Sequence, residues 1–335
     1  MPDILPEGRS KELTEELLQG AIDIHVHPGP HLSSSPRSVD PFEAAEQAKE
    51  AGMAGLVYMD VFEMTTGTAW LVNRRVKDIP VYGGIILNSV YGGMNPRAVK
   101  TAMDYGSGAR YVSFGAHSTY YQASREGKIV DGEFKPLSEL YPKFKEEELS
   151  RAIKIPLEEE PGKELDEILK LIADSEQTYL NTGHVSPEEG MRLVELSNQY
   201  GIDEVLVASA VTKEMSIEKQ KEAVDKGAYI EHTLAAHTHT TPIPKTHYYV
   251  EKEYASIDEG MDEEGASGGV KQVSEEIEEV GAENCIIGTD FGVYTLPPPV
   301  EGMREFIASL LDLGITPDEI QTMTQDNPRD LLNIN

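Results

Sequence analysis

One cysteine stands among the 335 residues of this chain, which excludes an intrachain disulfide framework. Cys285 lies in the apolar run NCIIG, where burial rather than nucleophilic chemistry is expected. Long apolar runs are missing as well: nothing approaches the ~18 residues that suggest a membrane-crossing helix. The N-terminal MPDILPEGRSKELTEELLQG is charged and lacks the apolar core and small-residue cleavage site of a secretory leader. A cytoplasmic location is the expectation. Positive charge is scarce: 29 Lys and Arg face 59 Asp and Glu, a formal net charge of −30. Nucleic acid and anionic membrane both require cations to neutralise phosphate, so neither is an expected partner. A small-molecule substrate is, with a homo-oligomer as the common base case. Also absent are the Gly-x-Gly-x-x-Gly turn of an open dinucleotide-binding sheet, the phosphate-cradling GxxxxGK[ST] loop and the GxSxG elbow of serine hydrolases.

What is present is a repeated pairing of short apolar runs with amphipathic helical stretches. AIDIHVH, AGLVYMD, PVYGGIILN, ARYVSFGAH, TYLNTGH, EVLVASA, AYIEHT and CIIGTD read as eight strands. DPFEAAEQAKEAG and SPEEGMRLVELSNQYG place proline and glutamate in the first helical turn, and glycine at the end. Eight such units fit a (β/α)8 TIM barrel of roughly 250–300 residues, read as one domain over residues 1–335. Two connections exceed simple barrel loops, about 118–162 after strand 4 and 233–267 after strand 7. Both leave strand C-terminal ends, so they are expected over the active-site face.

Chemistry concentrates at the strand tips. His25 and His27 lie at i and i+2 and face the same side of the first strand. At ~3.3 Å per residue their Cα atoms stand ~6.6 Å apart, close enough for both imidazoles to reach one ion. His31 follows. His184 ends the fifth strand and Asp290 the eighth. A barrel gathers such tips around one axis, and three imidazoles with a carboxylate suit a divalent metal ion.

DIHVHPGP, GTD on the last strand and NPRDLL near the C-terminus resemble the amidohydrolase superfamily of metal-dependent hydrolases. YGGIILN…GGMNPRAVK, LNTGHVSPEE, GAYIEH and GTDFG…PPPVEGMREFIASLLDLGI resemble a functionally unassigned bacterial and archaeal group within it. The resemblance covers nearly the whole chain. It implies that His25, His27 and His184 bind metal, and that Asp290 both binds metal and relays the proton of the attacking water. The cofactor implied is a divalent ion, zinc first with manganese or iron as alternatives, one or two per chain. The reaction implied is hydrolysis of a small amide, cyclic amide or lactone. Decarboxylase or lyase chemistry of the same superfamily is the alternative, and a non-catalytic protein with a degenerate metal site is the other.

The pattern also departs from that superfamily. Strand 6 usually supplies a histidine, and its tip here reads Ala208, Ser209, Ala210. His232 on strand 7 is the candidate replacement ligand; its neighbour Glu231 faces the opposite way in a regular strand and is read as a substrate-side residue. Strand 4 offers His117 and no lysine. Lys154 could bridge two ions only if RAIKIPL were the barrel strand, so one ion, or an atypical second, is expected. Asn88, Tyr91 and His117 are further candidates for substrate contact. Arg125 and Lys128 are weaker ones, and Tyr120 and Tyr121 either wall a pocket or pack the insertion. His237, His239 and His247 continue a histidine-rich tract read as a solvated loop, with an auxiliary metal site or a lid as alternatives. Ile320, Met323, Leu331 and Leu332 are expected to bury apolar area at the C-terminal end of the chain.

Overall fold

The computed structural model describes residues 11–32, 36–158, 160–237, 261–262 and 269–334. Eight parallel strands follow one another in chain order around a barrel. They are β1 (Ile22–Val26), β2 (Gly55–Tyr58), β3 (Val81–Ile86), β4 (Ala109–Ser113), β5 (Tyr179–Asn181), β6 (Val205–Val207), β7 (Tyr229–Thr233) and β8 (Cys285–Gly288). Each pairs with the next, from Ile22 with Gly55 to Ile230 with Cys285. The ring closes just beyond β8. Val26 bridges Phe291, the His27 amide donates to the Phe291 carbonyl at 2.8 Å, and the Asp290 amide donates to the His25 carbonyl at 2.8 Å.

The helices form where their caps predict. Asp40 accepts from the amides of Phe42 and Glu43 while Glu43 returns the bond, opening Pro41–Glu50. Ser186 and Glu189 do the same for Pro187–Tyr200, which ends at the left-handed Gly201. Ile22, Ile24, Val57, Tyr111, Tyr179, Leu206 and Ile286 form one buried cluster with Leu331 and Leu332. Only the barrel interior brings residues from so many strands together, and the C-terminal leucines stop its lower end. Ile320 and Met323 are buried in the larger layer between strands and helices. Cys285 is fully buried, and burial pushes its thiol far above the ordinary range.

The strand-4 insertion contains the helix Tyr120–Arg125 and an antiparallel hairpin of Glu126–Val130 with Glu133–Pro136. Asp131 and Gly132 turn it with φ of 53° and 84°, the conformation that the Asp-Gly pair favours. Met261–Asp262, within the strand-7 insertion, pairs with Glu126 and Gly127. The two insertions therefore share one small sheet. Lys154 is not on a barrel strand: it lies outside β4 with its ammonium over the Tyr120 ring, which removes it as a bridging ligand. Among the described residues, no helix is long and apolar enough to cross a membrane.

Candidate metal centre

An irregularity in β1 shapes the site. Between Asp23 and Val26 the pairing with β2 slips by one residue, the mark of a β-bulge. Asp23, fully buried, braces it: its carboxylate accepts from the His25 amide at 3.1 Å, the Thr289 amide at 3.1 Å and the Thr289 hydroxyl at 2.6 Å. One side chain thus ties the histidine strand to the residue before Asp290. Burial raises the Asp23 carboxyl to about 6, against the lowering effect of those hydrogen bonds. Asp290 itself takes the left-handed conformation at φ 55°, where aspartate is tolerated better than most residues. Gly292 is required two residues on, since a Cβ there would fall 1.8 Å from the His27 carbonyl oxygen.

His25, His27 and Asp290 each bring one ligand atom to within 4.8 Å of the others. Asp290 Oδ1 lies 2.8 Å from His27 Nε2 and 3.6 Å from His25 Nε2. The opposite ring nitrogens are engaged: His25 Nδ1 meets Glu231 Oε1 at 2.8 Å, and His27 Nδ1 meets the Met59 carbonyl at 2.7 Å. Each ring donates through Nδ1 to these acceptors, which directs Nε2 towards Asp290. Burial pushes the ion-free His25 down, but the charges of Glu231 and Asp290 outweigh it and lift the group to about 9. Burial acts upward on Asp290, and His25 and His27 pull it down to about 2.

These groups line a cavity of about 210 Å³ together with His184, His117, Gln122, Arg37, Ser113, Asn181, Ser209 and Lys213. His184 shares the cavity but stands outside the three-residue cluster, with its buried Nδ1 lacking a hydrogen-bond partner. Burial and the neighbouring His117 lower it to about 3. Its ring centroid is 6.0 Å from that of His117, whose Nδ1 meets Glu126 Oε1 at 2.6 Å.

Other sequence candidates fall elsewhere. His232 is fully buried, lies 3.5 Å from Glu276 on the neighbouring helix Gly269–Val280, and does not line the cavity. The alternation of β7 sends Glu231 to His25 and His232 the other way, so the expected replacement ligand is not at the site. Glu231 is no substrate-side residue either, being fully buried between His25 and the Ser209 amide, which donates to Oε2 at 2.8 Å. The strand-6 tip thus contributes the Ser209 amide, which holds Glu231, and no imidazole. Asn88 accepts from the Ala116 amide and donates to the Val61 carbonyl, and Tyr91 donates to the Phe62 carbonyl. Both stitch loops and stay out of the cavity lining. Arg125 pairs with Glu214 at 2.8 Å, and Lys128 donates to the Tyr141 hydroxyl. His239 and His247 lie outside the described residues; His237 is buried in the turn Ala235–His237.

Several contributors carried no signal in the sequence. Asp60 holds the mouth beside β2: Oδ1 accepts from the amides of Phe62 and Glu63, and Oδ2 accepts from His31 Nδ1 at 2.8 Å. His31 Nε2 in turn accepts from Arg37 at 3.1 Å. Gln122 arrives from the insertion helix and Lys213 from the turn after β6.

Residues 20–231 match the model of a family described as a family of unknown function, DUF6282, and the chain belongs to that family. The match includes His25, His27, His184 and Glu231 and stops short of Asp290. No curated protein matches the chain. Among solved structures it is similar to the probable dipeptidase PvdM from Pseudomonas aeruginosa, at TM-score 0.59 and 11% identity over 96% of this chain and 97% of that one. An amidohydrolase from Burkholderia multivorans with bound HEPES gives 0.52 and 8% identity over 94% and 99%. A putative 2-pyrone-4,6-dicarboxylic acid hydrolase from Pseudomonas putida gives 0.51 and 11% over 94% and 97%. At these identities the likeness is one of fold.

Proposed function

We propose that this member of the DUF6282 family is a metal-dependent hydrolase of a small amide, cyclic amide or lactone. One observation carries the reading. Two imidazole nitrogens whose partner nitrogens already donate elsewhere converge on a single carboxylate oxygen of Asp290. Atoms so close share either a proton or a cation, and two imidazoles turned onto one carboxylate are a donor set that a divalent ion takes. Ligands bound at 2.0–2.2 Å with tetrahedral angles stand about 3.3–3.6 Å apart; the 3.6 Å pair meets that spacing, and the 2.8 Å pair would have to open to it as an ion entered. The donor set suits zinc, with manganese or iron as alternatives. His184, in the same cavity with an unpartnered nitrogen, is the fourth donor we assign.

A divalent ion held there supplies Lewis acidity and draws the pKa of water towards about 7. The protein does the rest. Glu231 and the Met59 carbonyl fix ring orientation and tautomer at His25 and His27. Asp290 keeps 32% of its side chain exposed and is anionic at neutral pH, so it can take a proton from water and return it to the leaving atom. The fold shared with a probable dipeptidase and an amidohydrolase is consistent with this chemistry.

The test pairs elemental analysis with turnover of matched amides and lactones, before and after chelation. About one tightly held ion per chain and chelator-sensitive hydrolysis that zinc restores are expected. A well-folded chain that binds no ion sinks the reading. Carbon dioxide release from acids in place of hydrolysis redirects it to decarboxylation.

A further inference from the structure

The chain as a whole repels anions, yet its cavity is built the other way. Asp290 is the only carboxylate among the described residues lining it, and Arg37 and Lys213 line it as well. Arg37 is the better-defined group. The loop that carries it is stitched to the strand leaving the metal centre: Arg37 bridges Val293, and the Ser38 amide donates to the Gly292 carbonyl at 2.7 Å. The guanidinium is therefore held on the same segment that presents Asp290.

Its charge is matched only loosely. Side-chain exposure is 5%, and the nearest carboxylate oxygen, Asp60 Oδ2, is 3.9 Å away and already accepts from His31. The other Asp60 oxygen accepts two backbone amides. One guanidinium nitrogen is bound by a neutral imidazole acceptor, and Nε, fully buried, has no partner. A buried cation without a hydrogen-bonded anion is costly, and an unpaired buried donor adds to the cost. The first cost is relieved by an anion entering from the cavity, and a planar carboxylate suits a guanidinium.

We propose that the substrate carries a carboxylate, which Arg37 binds beside the metal centre. The proposal rests on the hydrolase reading for its reaction. Arg37 is a specificity residue in it; Lys213, close enough to act electrostatically on His184, also lines the cavity. The substrate class becomes a small carboxylated amide or lactone that a 210 Å³ cavity can admit.

Metal-loaded protein can be titrated calorimetrically with matched acid and amide probes: acetate with acetamide, benzoate with benzamide, and N-acetylglycine with its amide. At least one acid should bind about tenfold or more tightly than its amide. Arg37→Gln should abolish the preference. Arg37→Lys should retain part of it, because the charge stays while the fork is lost, and it decides the matter if Arg37→Gln does not fold. Acids and amides binding alike, no probe binding, or an undiminished preference in both variants overturns the anchor. The last result would mean that the ion alone holds the carboxylate. Elemental analysis of the same samples separates the two readings: an ion present without an Arg37-dependent preference refutes only the anchor. An ion absent from the wild type refutes the metal reading, and the same titration on that ion-free protein still decides the anchor.

Discussion

Glu231 and His25 are 206 positions apart in the chain, and their side chains meet at 2.8 Å with the carboxylate fully buried. The carboxylate fixes which nitrogen of His25 carries the proton and, in the ion-free protein, raises the group to about 9. Proton and metal then compete for the same nitrogen. Metal affinity should rise with pH up to about 9, because below that value a proton must leave before an ion enters.

Glu231→Gln tests this coupling. The amide still accepts a hydrogen bond from Nδ1 but carries no charge, so His25 of the chelated protein should titrate at lower pH. Metal affinity should fall roughly 10- to 100-fold. NMR titration of the imidazole and competition with a chromogenic chelator measure the two effects. An unmoved His25 titration would show that Glu231 is not the group that lifts it.

Removing ligands makes a plainer prediction. His25→Ala or His27→Ala should abolish most metal binding, while the far end of the barrel, stopped by Leu331 and Leu332, stays folded. Asp290→Asn should reduce turnover by about 10²-fold or more, the scale of a lost general base, with a much smaller change in melting temperature. Wild-type metal content in either alanine variant would exclude those histidines as ligands.

The barrel was legible because its strands, caps and glycine stops agree with one another at each repeat. His25, His27 and Asp290 were legible because strand tips in such a barrel share one axis. The rest depended on contacts with no local signature. Choosing between Glu231 and His232 required the inward parity of β7, which a strand read alone does not disclose. Asn88 and Tyr91 looked like cavity residues, yet their donors are taken by the carbonyls of Val61 and Phe62. Asp23 was hidden in the same motif as His25, since only the bulge and its bonds to Thr289 reveal what it does. Arg37 reaches the cavity because its loop pairs with Val293, a contact across almost the full chain.

His232 supplies the sharpest contrast with its neighbour. Both ring nitrogens are buried without a hydrogen-bond partner, and burial holds the group neutral, lowered to about 3. Its unfolded-state value is near 6.5, so the unfolded chain takes up a proton first as pH falls. The stability tied to His232 is therefore present above about 6.5 and is lost progressively towards pH 3, by up to several kcal/mol. His232→Leu should leave metal content unchanged, remove this acid-side loss, and leave stability at neutral pH equal or higher, because an apolar side chain has no unsatisfied polar atoms there. Denaturant unfolding at pH 7.5 and pH 4.5 checks the prediction. A variant that loses its metal, or that shows the same acid-side slope as the wild type, would return His232 to the list of working residues.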